Sequence, residues 1–149
     1  DLKEALQWYY KAAKADAKNA NAFIYLGAGL YNAAAKIYEN TNVTQAMAKT
    51  AEDLLRASIP VLEIAYKSRP DNIKGMLGSI YYQLKMTDKR DALDAGTLNV
   101  DGATLPEISD LLQGLDLTVT KTAAPAVEAQ SAQPTQKATA KKAPAKRRK

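Results

Sequence analysis

An all-α fold is what this sequence predicts, and three observations carry the prediction. The long apolar stretches repeat at three- and four-residue spacing, as amphipathic helices do. Ala is abundant, while only two Pro and five Gly fall within the first hundred residues, so little interrupts a helix there. The stretch from Leu54 to Met86 reads as helix, turn and helix, with Leu55, Ile59, Leu62 and Tyr66 on one face and Leu77, Ile80, Tyr81 and Leu84 on another. Neither stripe can be buried by its own helix, so each must pack on the other and on a neighbouring pair.

Taken in order, residues 2–15 carry a helical stripe through Leu2, Ala5, Leu6, Tyr9 and Ala12–Ala13. A polar connection, Asp16 to Asn19, leads to a second helix over about 20–39, with Phe23, Leu26, Leu30, Ala34 and Ile37 at its apolar positions. Gly27 and Gly29 lie inside that pattern, each costing about 1 kcal/mol against Ala, which implies close approach of a partner helix. Asn40-Thr41-Asn42 breaks the pattern, and Thr41, Asn42 or Thr44 is positioned to cap the next helix. That helix runs to about Ser68 and contains Pro60, which cannot donate to the carbonyl of Arg56, so a kink is expected.

A tight Pro70-Asp71-Asn72 turn is expected to end it, and the following helix to reach about Lys85. Thr87 suits the cap of a short helix, Asp88 to Ala95, closed by Gly96. After a turn at Asp101-Gly102, Leu105-Pro106-Glu107 reads as the opening of a last short helix. Its Leu105, Ile108, Leu111, Leu112 and Leu115 share a face suited to capping the last helix pair, or else to docking on another protein. From residue 118 the composition turns to Ala, Pro, Gln, Thr and Lys, with almost nothing to bury, and disorder is expected. Three regions follow: a helical body over 1–96, a capping segment with a short helix over 97–117, and a basic tail over 118–149.

Charge divides along the same line. Residues 121–149 hold eight Lys/Arg against one Glu, while residues 1–120 hold 13 Lys/Arg against 15 Asp/Glu. The body is mildly acidic and the tail strongly basic. The chain has no Cys and no His, which removes disulfides, thiolate or imidazole metal sites, cysteine nucleophiles and the usual general base. No constellation of carboxylate, Lys, Tyr or Ser/Thr stands in for them, so a non-catalytic protein with no cofactor and no metal is expected. The acids Glu52-Asp53 and Asp88, Asp91 and Asp94 read as solvated helix surface, and Glu63 with Lys67 as a surface pair at four-residue spacing. No apolar run reaches the roughly 18 residues needed to span a bilayer.

An internal repeat is present. Ala5-x3-Tyr9-x2-Ala12-x4-Ala17 matches Ser58-x3-Leu62-x2-Ala65-x4-Pro70 in spacing and size, and Phe23-x2-Leu26-Gly27-x2-Leu30-Tyr31 is echoed by Leu77-Gly78-x2-Tyr81-Tyr82. Over residues 2–93 these patterns resemble the tetratricopeptide repeat (TPR). They depart from it too: Ala5 to Ser58 is 53 residues where a period of about 34 is usual, an excess of 19 that falls within 33–57. The second copy is also two residues short between Pro70 and Leu77. The order of YLGAGLYNAAAKIYEN, SIPVLEIAYKSRPDN and SIYYQLKMTDK is similar to the C-terminal end of TPR proteins common in Bacteroidetes-type bacteria.

The resemblance implies antiparallel helix pairs in a right-handed superhelical array, N-terminally incomplete, that binds a peptide or protein in its concave groove. Carried onto this sequence, the groove side comprises Asn21, Ile24, Ala28, Tyr31 and Asn32, then Tyr82 and Gln83. The same Tyr residues also suit simple packing within the repeat. Ile24 and Ala28 stand where a carboxylate-clamping TPR would need Lys and Asn, so chaperone tails are not the expected partner. The family often carries signal peptides, which implies the cell envelope, with the cytoplasm left open. A separate expectation attaches to the tail. Lys137, Lys141, Lys142, Lys146, Arg147, Arg148 and Lys149 form a polycation able to neutralise phosphates of nucleic acid, or an anionic surface, without reading sequence.

Overall fold

The computed structural model describes residues 1–119, and in them the chain forms six helices. These are α1 (Leu2–Ala15), α2 (Ala20–Tyr38), α3 (Gln45–Ser68), α4 (Pro70–Gln83), α5 (Thr87–Ala95) and α6 (Ser109–Gln113). Successive helices from α1 to α5 pack on one another, with the most extensive contact between α2 and α3, and α2 also touches α4. The result is an all-helical, repeat-like packed domain.

Local chemistry accounts for most boundaries. Asp1, Asn19 and Thr44 cap α1, α2 and α3, each side chain accepting a backbone N–H from the first turn. Of the three candidates before α3, Thr44 does the work, its Oγ1 accepting from Met47 N at 3.1 Å. Pro60 lies inside α3 without ending it. The expected Pro70-Asp71-Asn72 turn is not there: Arg69 alone breaks the chain, and Pro70 is the first residue of α4, where its missing N–H costs nothing. That one-residue joint replaces the four-residue connection between α1 and α2. It is three residues shorter, and α4 starts one residue further ahead of Leu77 than α2 does of Leu26, which together leave the two-residue shortfall in the second copy. The 19-residue excess appears as length, since α2 and α3 have 19 and 24 residues against 14 and 9 for α4 and α5.

The two inner glycines stand where helices touch. A Cβ on Gly27 would lie 2.6 Å from Leu62 Cγ on α3, and one on Gly29 would lie 2.6 Å from Leu6 Cδ2 on α1. Gly78, the counterpart of Gly27 in the repeat, faces Leu93 of α5 at an ordinary 3.6 Å. The same small-residue position thus faces the following helix in both pairs, with more room at Gly78. The core runs continuously from Leu6 and Tyr10 through Leu26, Leu30, Leu54 and Leu62 to Leu77, Ile80, Tyr81 and Leu93.

The C-terminal segment departs from expectation in two respects. Its helix starts at Ser109 rather than at Leu105–Glu107, and its principal helix neighbour is α1 rather than the last pair. One hydroxyl explains both. Tyr10 Oη accepts the Ile108 N–H at 3.2 Å and donates to Pro106 O at 3.1 Å, with Glu107 Oε1 an alternative acceptor at 3.3 Å. Backbone groups that a first helical turn would use are bound to α1 instead. The ends of this strap are tied by Lys67–Asp101 at 3.6 Å and by Lys3 Nζ donating to Gln113 O at 2.7 Å. Ile108, Leu112 and Leu115 are buried beneath it, and Leu105 and Leu111 half-buried.

Candidate functional site

Along α2 the residues Asn21, Ile24, Ala28, Tyr31 and Asn32 recur at helical spacing and share one side. Asn21 and Asn32 are exposed, Ala28 is half-buried, and Ile24 and Tyr31 are half-buried against the core. At the C-terminal end of this stripe Gln83 Nε2 donates to Tyr31 Oη at 3.5 Å, joining residues 52 apart in sequence. Tyr31 and Gln83 therefore meet. Tyr82 does not join them. Neighbouring helix residues diverge by about 100°, and Tyr82 points toward α5, where it is 67% exposed and lies under the Arg90 guanidinium at 4.8 Å.

Gln83 also opens onto a second feature, a cleft of about 500 Å³ between the C-terminal ends of α2 and α4 and the middle of α3. Tyr38, Leu55 and Leu84 supply its apolar surface, and Arg56 and Lys85 its cationic groups. Arg56 is paired with Glu52 at 2.7 Å. Lys85 has φ of 60° and is the non-glycine residue with positive φ among the described residues. It holds the left-handed position of a Schellman turn, in which Lys85 N donates to Tyr82 O and Met86 N to Tyr81 O. Glycine normally fills that position because a side chain there costs about 1–2 kcal/mol.

A third surface lies on α1 and α2. Tyr9 and Tyr25 stack at 5.5 Å between ring centroids, Tyr25 and Trp8 are more than half exposed, and Lys11 Nζ sits 5.0 Å over the Trp8 ring. Sequence spacing identified these only as helix positions. Their exposure emerges from packing.

One buried polar cluster escaped the sequence reading. Glu63, expected at the surface beside Lys67, is 5% exposed. Its Oε2 accepts from Tyr81 Oη at 2.6 Å and from Lys89 Nζ at 2.7 Å, so α3, α4 and α5 meet on one oxygen. Lys67 turns instead to Asp101. Burial, and then the hydrogen bond to Glu63, hold the Tyr81 hydroxyl well above the ordinary tyrosine pKa. The available signal was position: Glu63 stands four residues after Ile59 and eight after Leu55, within the buried stripe. Glu52 and Asp53, by contrast, are surface partners of Arg56 and Lys49 at four-residue spacing.

No group of acids that could hold a metal ion forms among the described residues, and no helix there is long and apolar enough to cross a membrane. The basic residues Lys137, Lys141, Lys142, Lys146, Arg147, Arg148 and Lys149 lie outside the described residues. No protein-family model matches the chain, and searches of the curated proteins and of the solved structures give no match.

Proposed function

We propose that this chain is a non-catalytic interaction module, a short TPR-like array whose α2–α4 face takes a peptide or a segment of another protein. The observation that carries the reading is the contact between Tyr31 and Gln83. It joins a polar, half-exposed stripe of α2 to the end of α4 beside an open cleft. Asn and Gln side chains offer both donors and acceptors to a peptide backbone, and Tyr offers a rigid apolar face with one hydroxyl. Successive packed helix pairs are the unit from which such an array is built, and that supports the reading.

The test is selection of peptides from a random phage library on the whole chain, followed by fluorescence polarisation with the selected sequences. Tyr31→Ala and Gln83→Ala should each weaken binding about threefold to tenfold, the range for losing one interfacial hydrogen bond or side-chain contact. Lys49→Ala, on exposed α3 surface, should change nothing. Equal binding by all three variants would remove this face from consideration.

The charge of residues 121–149 favours a second reading, in which that segment holds phosphates nonspecifically. It requires a DNA mobility shift at low salt that weakens steeply with added salt and disappears when residues 121–149 are deleted. A full-length chain that gives no shift at low salt rules it out.

A further inference from the structure

Where α1 passes to α2, the last turn of α3 and the strap over residues 103–105 bound an open cleft of about 670 Å³. Ala13, Ala17, Phe23, Ile64 and Leu105 give it apolar surface. Lys14, Lys18 and Lys67 also line it, and no carboxylate does. This runs against the composition of the described chain, in which acids outnumber Lys and Arg.

The nearest acids leave those charges largely unanswered. Asp16 Oδ1 accepts the backbone N–H of Lys18 at 2.9 Å, not its ammonium. Asp101 reaches Lys67 only at 3.6 Å with its side chain 86% exposed, a pair that is easily exchanged. Glu107 is engaged by Ser109 N and by Tyr10 Oη, and its charge acts on Lys14 only as a minor influence beside those hydrogen bonds. Lys14 lies 5.2 Å over the Tyr10 ring, which orients its ammonium without neutralising it.

We propose that this cleft binds an acidic peptide segment, with one apolar side chain against the half-exposed Ile64 and Leu105 and flanking carboxylates at Lys14, Lys18 and Lys67. Three cations drawn from three parts of the chain suit a ligand with several spaced carboxylates. A fatty acid brings only one. A nucleic acid strand would find no exposed aromatic to stack on, since Phe23 is 2% exposed. The site is distinct from the Tyr31–Gln83 contact on which the α2–α4 reading rests, because Ala20 and Tyr31 are about 16 Å apart along the helix at 1.5 Å per residue. The two sites therefore stand or fall separately.

The probe is a fluorescein-labelled Asp-Glu-Leu-Glu-Asp peptide, titrated with the full chain and read by fluorescence polarisation. Binding should saturate and weaken as salt is raised. Lys18→Glu with Lys67→Glu should weaken it at least about tenfold, reversing two charge contacts worth up to about 1 kcal/mol each. Ala17→Phe narrows the cleft without altering charge, from an exposed position, and should also weaken it at least tenfold. Lys74→Glu, together with Tyr31→Ala and Gln83→Ala, should leave it unchanged. The proposal is overturned if the double charge reversal binds as the parent does, or if the peptide with Ser in place of Leu binds equally well. It is also overturned if the peptide fails to bind, whether or not decanoate binds in its place.

Discussion

Replacing Glu63 by Ala is expected to destabilise the helical domain by about 1–4 kcal/mol, and adding Tyr81→Phe to that variant should cost little further. The reasoning starts from burial. Tyr81 is 0% exposed and Glu63 5%, and a 2.6 Å hydrogen bond joins them across the α3–α4 interface. Deleting the carboxylate strands a buried hydroxyl at about 1–3 kcal/mol. The Lys89 contact adds no more than about 1 kcal/mol, because the Lys89 side chain is 41% exposed and its ammonium can return to water. Tyr81→Phe alone removes a hydrogen bond to a charged group, about 1.5–3 kcal/mol. In the double variant neither partner is left stranded, so the two losses should fall short of their sum by about 1.5–3 kcal/mol. Urea unfolding of the four proteins, followed by far-ultraviolet circular dichroism, measures the cycle. Losses that add to within about 0.5 kcal/mol would refute the coupling. A pH dependence follows from the same contact. The folded state keeps the Tyr81 proton that the unfolded chain releases as pH passes the ordinary value of 10.0. Above that pH the folded state binds more protons than the unfolded one, so the stabilisation is full below pH 10.0 and is lost as pH rises further. Tyr81→Phe should make the alkaline decline shallower.

Gly27→Ala should destabilise the domain despite its gain of about 1 kcal/mol in helix propensity, since the new methyl meets fully buried Leu62 and overpacking costs about 1–3 kcal/mol. Gly29→Ala, which meets only the far end of Leu6, should lose less, and Gly78→Ala should be neutral or stabilising; thermal unfolding of the three ranks them. Tyr10→Phe should loosen the strap by about 1–2 kcal/mol, and hydrogen exchange should show faster exchange at Ile108 N with little change in α3. Lys85→Gly should raise stability by about 0.5–1 kcal/mol by relieving the left-handed backbone, while Lys85→Ala stays near the parent in urea unfolding.

The helices were legible because their signals are local. Apolar periodicity, Thr44 and Gly96 each act within a turn or two, and the structure uses them accordingly. What stayed hidden depends on partners distant in sequence. Glu63 looked like half of a surface pair because Lys67 is its neighbour at the right spacing. Its actual partners, Tyr81 and Lys89, lie 18 and 26 residues away. The last helix was misplaced for the same reason. Pro106 and Glu107 are good helix openers, but the Tyr10 hydroxyl, 96 residues earlier, takes the backbone groups they would have organised. The α2 stripe could be listed from periodicity. Which neighbour it meets could not, and so Gln83 joined Tyr31 while Tyr82 turned to Arg90.

The strap also bears on how such a domain can be extended. Helix α1 is engaged by α2 through Leu6 and Gly29, and by the strap through Tyr10 and Lys3. Adding a helix pair on the Tyr10 side would require the strap to leave, with loss of the Tyr10 hydrogen bonds and re-exposure of Ile108, Leu112 and Leu115. Re-exposing three such side chains costs several kcal/mol at about 1.5–3 kcal/mol each. The side that carries Trp8, Tyr9 and Tyr25 asks for no such displacement. Its Trp8 and Tyr25 are 62% and 53% exposed, and covering them would bring burial energy rather than consume it. A neighbouring repeat, if this domain takes one, therefore belongs on the Trp8–Tyr25 side, and a partner that displaced the strap would have to outbid the Tyr10 contacts first.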